Sequence, residues 1–143
     1  MFTKSFIVGL VAGITLVAFT VAAADKDKKK PDISKLPPPA DKKGLTYAKD
    51  IKPLLEGSCL KCHGAEKPKS KYRVDSREAM IKGGESGDAA IIPGKSADSP
   101  LIHYVADLVE DMEMPPTEKR DKYPALKKEQ IALLRAWIDQ GAK

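Results

Sequence analysis

Apolar residues recur at three- and four-residue spacing along much of the C-terminal two thirds of this chain. Tyr47, Ile51, Leu54 and Leu55 share one face, which predicts a helix from a Thr46 cap to about Glu56. Pro53 lacks a backbone donor, so this helix is expected to kink or to start late. Ser76 can cap a short helix over Arg77 to Lys82 that Gly83-Gly84 ends. Ser99 followed by Pro100 signals a third helix carrying Leu101, Ile102, Tyr104, Val105 and Leu108. A last helix is predicted from about Lys127 to Gln140, with Ile131, Leu134, Trp137 and Ile138 as its stripe and Gly141 as its stop. Strand-like alternation is confined to a few residues near Tyr72 to Asp75, and no repeat is visible. The pattern predicts an all-α domain over residues 45–143, with long Gly- and Pro-rich connections.

Ahead of that domain the pattern changes twice. Residues 1–5 are short and carry Lys4, and Phe6 to Ala24 is apolar and uncharged, closing on Ala22-Ala23-Ala24. This reads as a secretory signal peptide, residues 1–24, cleaved after Ala24. The competing reading is a retained membrane anchor, because the apolar run approaches the roughly 20 residues that span a bilayer. Residues 25–44 hold seven Lys, four Asp and four Pro, among them Lys28-Lys29-Lys30 and Pro37-Pro38-Pro39. They are expected to form a solvated Lys/Pro-rich linker without a stable element.

Composition sharpens this division. All three Phe lie in the first 24 residues, and Leu, Ile and Val number only 21 in the 119 that follow. Those 119 residues carry 24 Lys/Arg against 20 Asp/Glu, a net charge of +4. So low an aliphatic content borders on the composition of disordered chains. It excludes a large enzyme, a polytopic membrane protein and a self-sufficient aliphatic core, and leaves a small domain that needs help to fold. The modest basic excess gives no support to nucleic-acid binding.

The two cysteines supply the candidate chemistry. They stand in Cys59-Leu60-Lys61-Cys62-His63, and Cys-x-x-Cys-His is the attachment pattern of c-type haem. Two thiols at this spacing meet the two vinyl groups of one porphyrin, and the adjoining His is carried beneath the ring as the proximal ligand. A thioredoxin-like dithiol would need a strand before the motif, whereas here a helical pattern precedes it. A zinc site would need two more ligands at short spacing, and the one other His, His103, is forty residues on. A structural disulfide would leave His63 without a role. One haem c, bound covalently by Cys59 and Cys62 with His63 on iron, is the reading that uses all three residues.

The sixth ligand has four candidates: Met80, Met112, Met114 and His103. Met114 stands in Met114-Pro115-Pro116, where two prolines restrict the backbone and prevent a helix, so a thioether can be held rigidly. It lies 51 residues after His63, room for the chain to wrap the haem. Met112 is the runner-up, since it faces the same side if the segment is extended. Met80 falls in a helical pattern where a core role is expected, and His103 reads as a surface residue.

Taken in order, these segments resemble the planctomycete-type cytochrome c domain of the class I cytochrome c superfamily. The resemblance is carried by Ile51-Lys52-Pro53-Leu54-Leu55, Cys59 to Gly64, Tyr72-Arg73-Val74-Asp75-Ser76, Gly83-Gly84, Ile92-Pro93-Gly94, Ser99-Pro100-Leu101, Met114-Pro115-Pro116 and Leu133 to Ala142. It implies a class I cytochrome c-like fold, small helices with long loops around one covalent haem. It further implies Cys59 and Cys62 as haem attachment residues, His63 as proximal and Met114 as distal ligand. The first and last helices would then cross, bringing Trp137 toward Tyr47, Ile51 and Leu55. The family's domain is often fused to larger extracellular domains, whereas here it stands alone, which suits a free carrier.

The function expected is one-electron transfer between exported redox partners, in the periplasm or an equivalent compartment, by a monomer that is not an enzyme. The alternative is a haem sensor or peroxidase-like protein with a labile sixth ligand. Lys61, Lys67, Lys69 and Lys71 surround the motif and would steer an acidic partner if they ring the exposed haem edge. Arg73 is a candidate partner for a haem propionate, with a surface salt bridge as its other reading. Membrane contact is expected only if the signal segment is retained.

Overall fold

The computed structural model describes residues 30–143. The signal-peptide reading, on residues 1–24, and the first five linker residues lie outside them. Among the described residues the architecture is all-α, with no strand, and no helix is long and apolar enough to cross a membrane. The α-helices are α1 (Lys52–Ser58), α2 (Leu60–His63), α3 (Arg77–Lys82), α4 (Pro100–Val105) and α5 (Lys128–Asp139), joined by loops and single 3-10 turns.

The first predicted helix is built in two pieces. Tyr47–Ile51 form a wide π-helical turn that runs straight into α1, where Pro53 sits in the first turn. Proline's ring clashes with the carbonyl four residues back, and the wider turn upstream accommodates it. Thr46 does not cap this helix with its side chain; instead the Asp50 carboxylate accepts the Thr46 N–H at 3.0 Å. Cys59 then breaks the run, and α2 carries the rest of the cysteine motif.

The remaining helices follow their terminal signals closely. The Ser76 hydroxyl accepts the Ala79 N–H, and Gly83 ends α3 with φ +80°, where a Cβ would lie 1.9 Å from the Asp88 carbonyl oxygen. Helix α4 starts after Ser99 as predicted, but Ser99 does not cap it. Its hydroxyl instead takes the Ile92 N–H and donates to the Lys95 carbonyl, each at 2.9 Å, tying the preceding loop together. The helix ends at Val105, so Leu108 falls beyond it.

Helix α5 is the centre of the molecule. Ile131, Leu134, Ala136, Trp137 and Ile138 are buried, and the helix packs against α4, the π turn and the Ser96–Asp98 turn. Trp137 meets Tyr47 with ring centroids 6.1 Å apart, the helix crossing that the family resemblance implies. The Trp137 indole and the Tyr47 amide both donate to the Lys143 carbonyl, at 2.7 and 3.0 Å.

Residues 30–44 depart from the expected solvated spacer. Leu36 is buried, and Ile33–Lys35 form a 3-10 turn capped by Asp32. The Ala40 amide donates to the Ala132 carbonyl, the Gln140 side chain to the Lys42 carbonyl, and Arg135 to the Pro37 carbonyl. The Lys42 ammonium pairs with Asp50 at 2.8 Å. A proline-rich segment has few backbone donors to satisfy, and its open carbonyls accept from α5 side chains, so it lies along the domain as a strap.

Candidate functional site

The site is built on one turn of backbone. The Cys59 N–H bonds to the Leu55 carbonyl, continuing α1, and the Cys59 carbonyl accepts from both Cys62 and His63 at 3.1 and 2.9 Å. This winds the two cysteines and the histidine into adjacent positions. Both thiols are free, Cys59 buried and Cys62 half-buried. Burial, with the neighbouring Cys62 as a lesser cause, pushes the Cys59 thiol up to about 12, so it stays protonated at neutral pH.

A tight loop returns the chain to His63. Lys67, Ser70 and Lys71 all adopt positive φ, and this curls residues 67–71 so that 72–74 pass beside the motif. The Val74 N–H bonds to the His63 carbonyl at 2.8 Å, and the His63 Nδ1–H donates to the Tyr72 carbonyl at 3.0 Å. That bond consumes Nδ1 and leaves Nε2 as the ring's lone-pair donor, the tautomer a metal-ligating histidine needs. Burial holds the imidazole below its ordinary value, an effect partly offset by the bonds from its nitrogen to the backbone. The neutral, ligating form is therefore favoured.

Tyr72 was not singled out as a site residue, yet it frames His63. Its ring stands edge-on to the imidazole at 5.4 Å, and its hydroxyl is buried with no hydrogen-bond partner among the described residues. Burial chiefly, and the nearby Cys59 next, hold that phenol far above its usual range, so it keeps its proton and can donate a hydrogen bond. Two free thiols, a histidine whose Nδ1 is held by the backbone and an orphaned buried hydroxyl beside Cys59 form a set that fits a haem fastened at this turn.

The candidates for the sixth position separate by environment. Met80 is fully buried in the core, as expected of its helix. Met112 is 41% exposed and lines a surface cleft of about 570 Å³ with Tyr104 and Leu108. His103 is half-buried rather than a plain surface residue, and its Nε2 is taken up by the Ala97 carbonyl at 2.7 Å. Met114 is partly buried against the core, its amide fixed to the Tyr104 carbonyl at 3.0 Å, and the Met114–Pro115 peptide is cis. It lies on a separate segment from the motif, with no hydrogen bond between the two among the described residues. Arg73 is exposed and forks onto Asp75 at 2.9 and 2.5 Å, the surface salt bridge of its two expected readings.

Residues 59–118 match the family described as Planctomycete cytochrome C. This stretch is a planctomycete-type cytochrome c domain. The matched span opens on Cys59 and closes just beyond Met114-Pro115-Pro116. Haem c is the cofactor of such domains, and the all-α fold agrees with a cytochrome c-like architecture. Among solved structures the chain is similar to Kuenenia stuttgartiensis hydrazine synthase, at 22% identity and a TM-score of 0.44. That likeness covers 68% of this chain and 16% of that one. No curated protein sequence matches the chain.

Proposed function

We propose that this cytochrome c is a one-electron carrier with a single haem, working outside the cytoplasm, and that it is not itself an enzyme. In this reading Cys59 and Cys62 form the two thioethers, His63 Nε2 is the proximal ligand and Met114 the distal one. Bound there, haem supplies the ferrous–ferric couple, and the protein's share is to fix its ligands and exclude water around them. The observation that carries the reading is the His63 Nδ1 bond to the Tyr72 carbonyl on the turn that bears both thiols. It sets the imidazole's tautomer and orientation before any ligand arrives.

Lys61, Lys67, Lys69 and Lys71 are all exposed, and none has an ion-pair partner among the described residues. They support docking to an acidic redox protein, with an association rate that falls as salt rises. The test is to express the full chain in a host that matures c-type cytochromes, then record its intact mass, visible spectrum and electrode response. One haem added covalently, a methionine–iron charge-transfer band in the ferric form and reversible one-electron reduction are expected. Ready carbon monoxide binding without that band would replace the carrier by a sensor or peroxidase-like protein.

A further inference from the structure

Met114 is followed by two prolines, so neither residue 115 nor residue 116 offers a backbone N–H. The segment can be pinned only by the Met114 amide and by its carbonyls. Both are used. The Met114 N–H bonds to the Tyr104 carbonyl at 3.0 Å, and the Pro115 carbonyl accepts from Arg120 Nε at 3.0 Å. The other two nitrogens of the same guanidinium fork onto the Asp107 carboxylate, at 2.9 and 2.6 Å. Asp107 follows the end of α4 and holds a left-handed φ of 55°, which turns its backbone out of the helix direction. Tyr104 and Asp107 thus anchor the two sides of Met114 to the same end of α4, whose Leu101, Ile102 and Val105 are buried in the core.

We propose that Arg120 and Asp107 are positioning residues for the sixth iron ligand, holding the Met114 segment against α4 so that the thioether stays on iron. The inference rests on Met114 being that ligand. A guanidinium can grip a carbonyl and a carboxylate at once because its donors point in fixed directions, whereas an ammonium presents one point charge. The pair itself is partly exposed, with side-chain accessibilities of 25% and 44%, so its worth to overall stability is small. Its work is local: it raises the population in which Met114 is seated.

The experiment uses the haem-loaded ferric protein and imidazole as the competing sixth ligand, followed through loss of the methionine–iron charge-transfer band. Arg120→Gln and Asp107→Asn should each raise apparent imidazole affinity about tenfold, because a competitor gains whatever the seated state loses. Arg120→Lys should resemble Arg120→Gln rather than the parent. Glu78→Gln, which removes the exposed contact to Arg77, should leave the affinity unchanged. An unchanged affinity in Asp107→Asn, or in Arg120→Gln, with the band intact in the parent would overturn the positioning role. A parent protein without the band would instead remove Met114 as ligand, and the positioning role with it.

Discussion

The Nδ1 nitrogen of His63 lies 3.0 Å from the carbonyl oxygen of Tyr72, so a backbone group nine residues along the chain orients the candidate iron ligand. A backbone acceptor cannot be lost by side-chain substitution. Tyr72→Phe should therefore keep the haem and the axial ligation while removing the buried hydroxyl, which has no partner among the described residues. If the bound group supplies that partner, the substitution lowers the thermal midpoint of the haem-loaded protein by the equivalent of about 1 kcal/mol. A higher midpoint would show that the hydroxyl stays unpaired. His63→Ala, by contrast, should block maturation or leave little folded protein, read by yield of covalent haem.

Met114 and Met112 are two residues apart but differ in burial, partly buried against 41% exposed. Met114→Ala should abolish the charge-transfer band, retain the covalent haem and lower the reduction potential. Met112→Ala should leave the spectrum unchanged. The reverse pair of results would transfer the ligand role to Met112.

Asp50 joins the strap to the first helix through the Lys42 ammonium and the Thr46 amide. The bond from Lys42 chiefly, and that from Thr46 next, hold its carboxyl below the ordinary 3.8. A carboxyl lowered in the folded state contributes stability above its unfolded value and loses it as pH falls through the folded one. The gap in thermal midpoint between the parent and Asp50→Asn should thus be constant near neutrality and close in acid, below about pH 4. A gap independent of pH would mean that the charge on Asp50 contributes nothing.

Leu36 tests the strap. It is 9% exposed, and Leu36→Ala should cost about 2 kcal/mol in denaturant unfolding, near the low end for a buried leucine. A free spacer would show no change.

Haem removal makes the last prediction. Few aliphatic residues are available to the domain, and a haem bound at the cysteine motif would place a large apolar group within it. The haem-free chain should show much reduced helix content by far-ultraviolet circular dichroism. Native-like helicity without haem would show that the protein's own core suffices.

The parts of this structure legible in the sequence are those governed by local rules. Ser76 and Gly83 bound α3 because a side-chain cap and a positive φ are properties of single residues. The α5 stripe was readable because burial repeats with the helix period. Ser99 shows where such rules stop: it occupies the capping position, yet two loop groups compete successfully for its hydroxyl. The docked strap was hidden because its contacts use the carbonyls of Pro37 and Lys42, and carbonyls are the same in every residue. Arg120 was hidden for a related reason. One partner is a main-chain oxygen and the other, Asp107, lies thirteen residues upstream, with no pattern linking them.

The strap has a bearing on reach. Composition marks residues 25–44 as a leash of twenty residues, which could stretch to about 70 Å at full extension. Residues 30–44 are committed to the surface of the domain, and only residues 25–29 of that leash precede them, a span of at most about 17 Å. The strap also covers the side of α5 that carries Ala132, Arg135 and Gln140, so that side of the domain is closed to any other molecule.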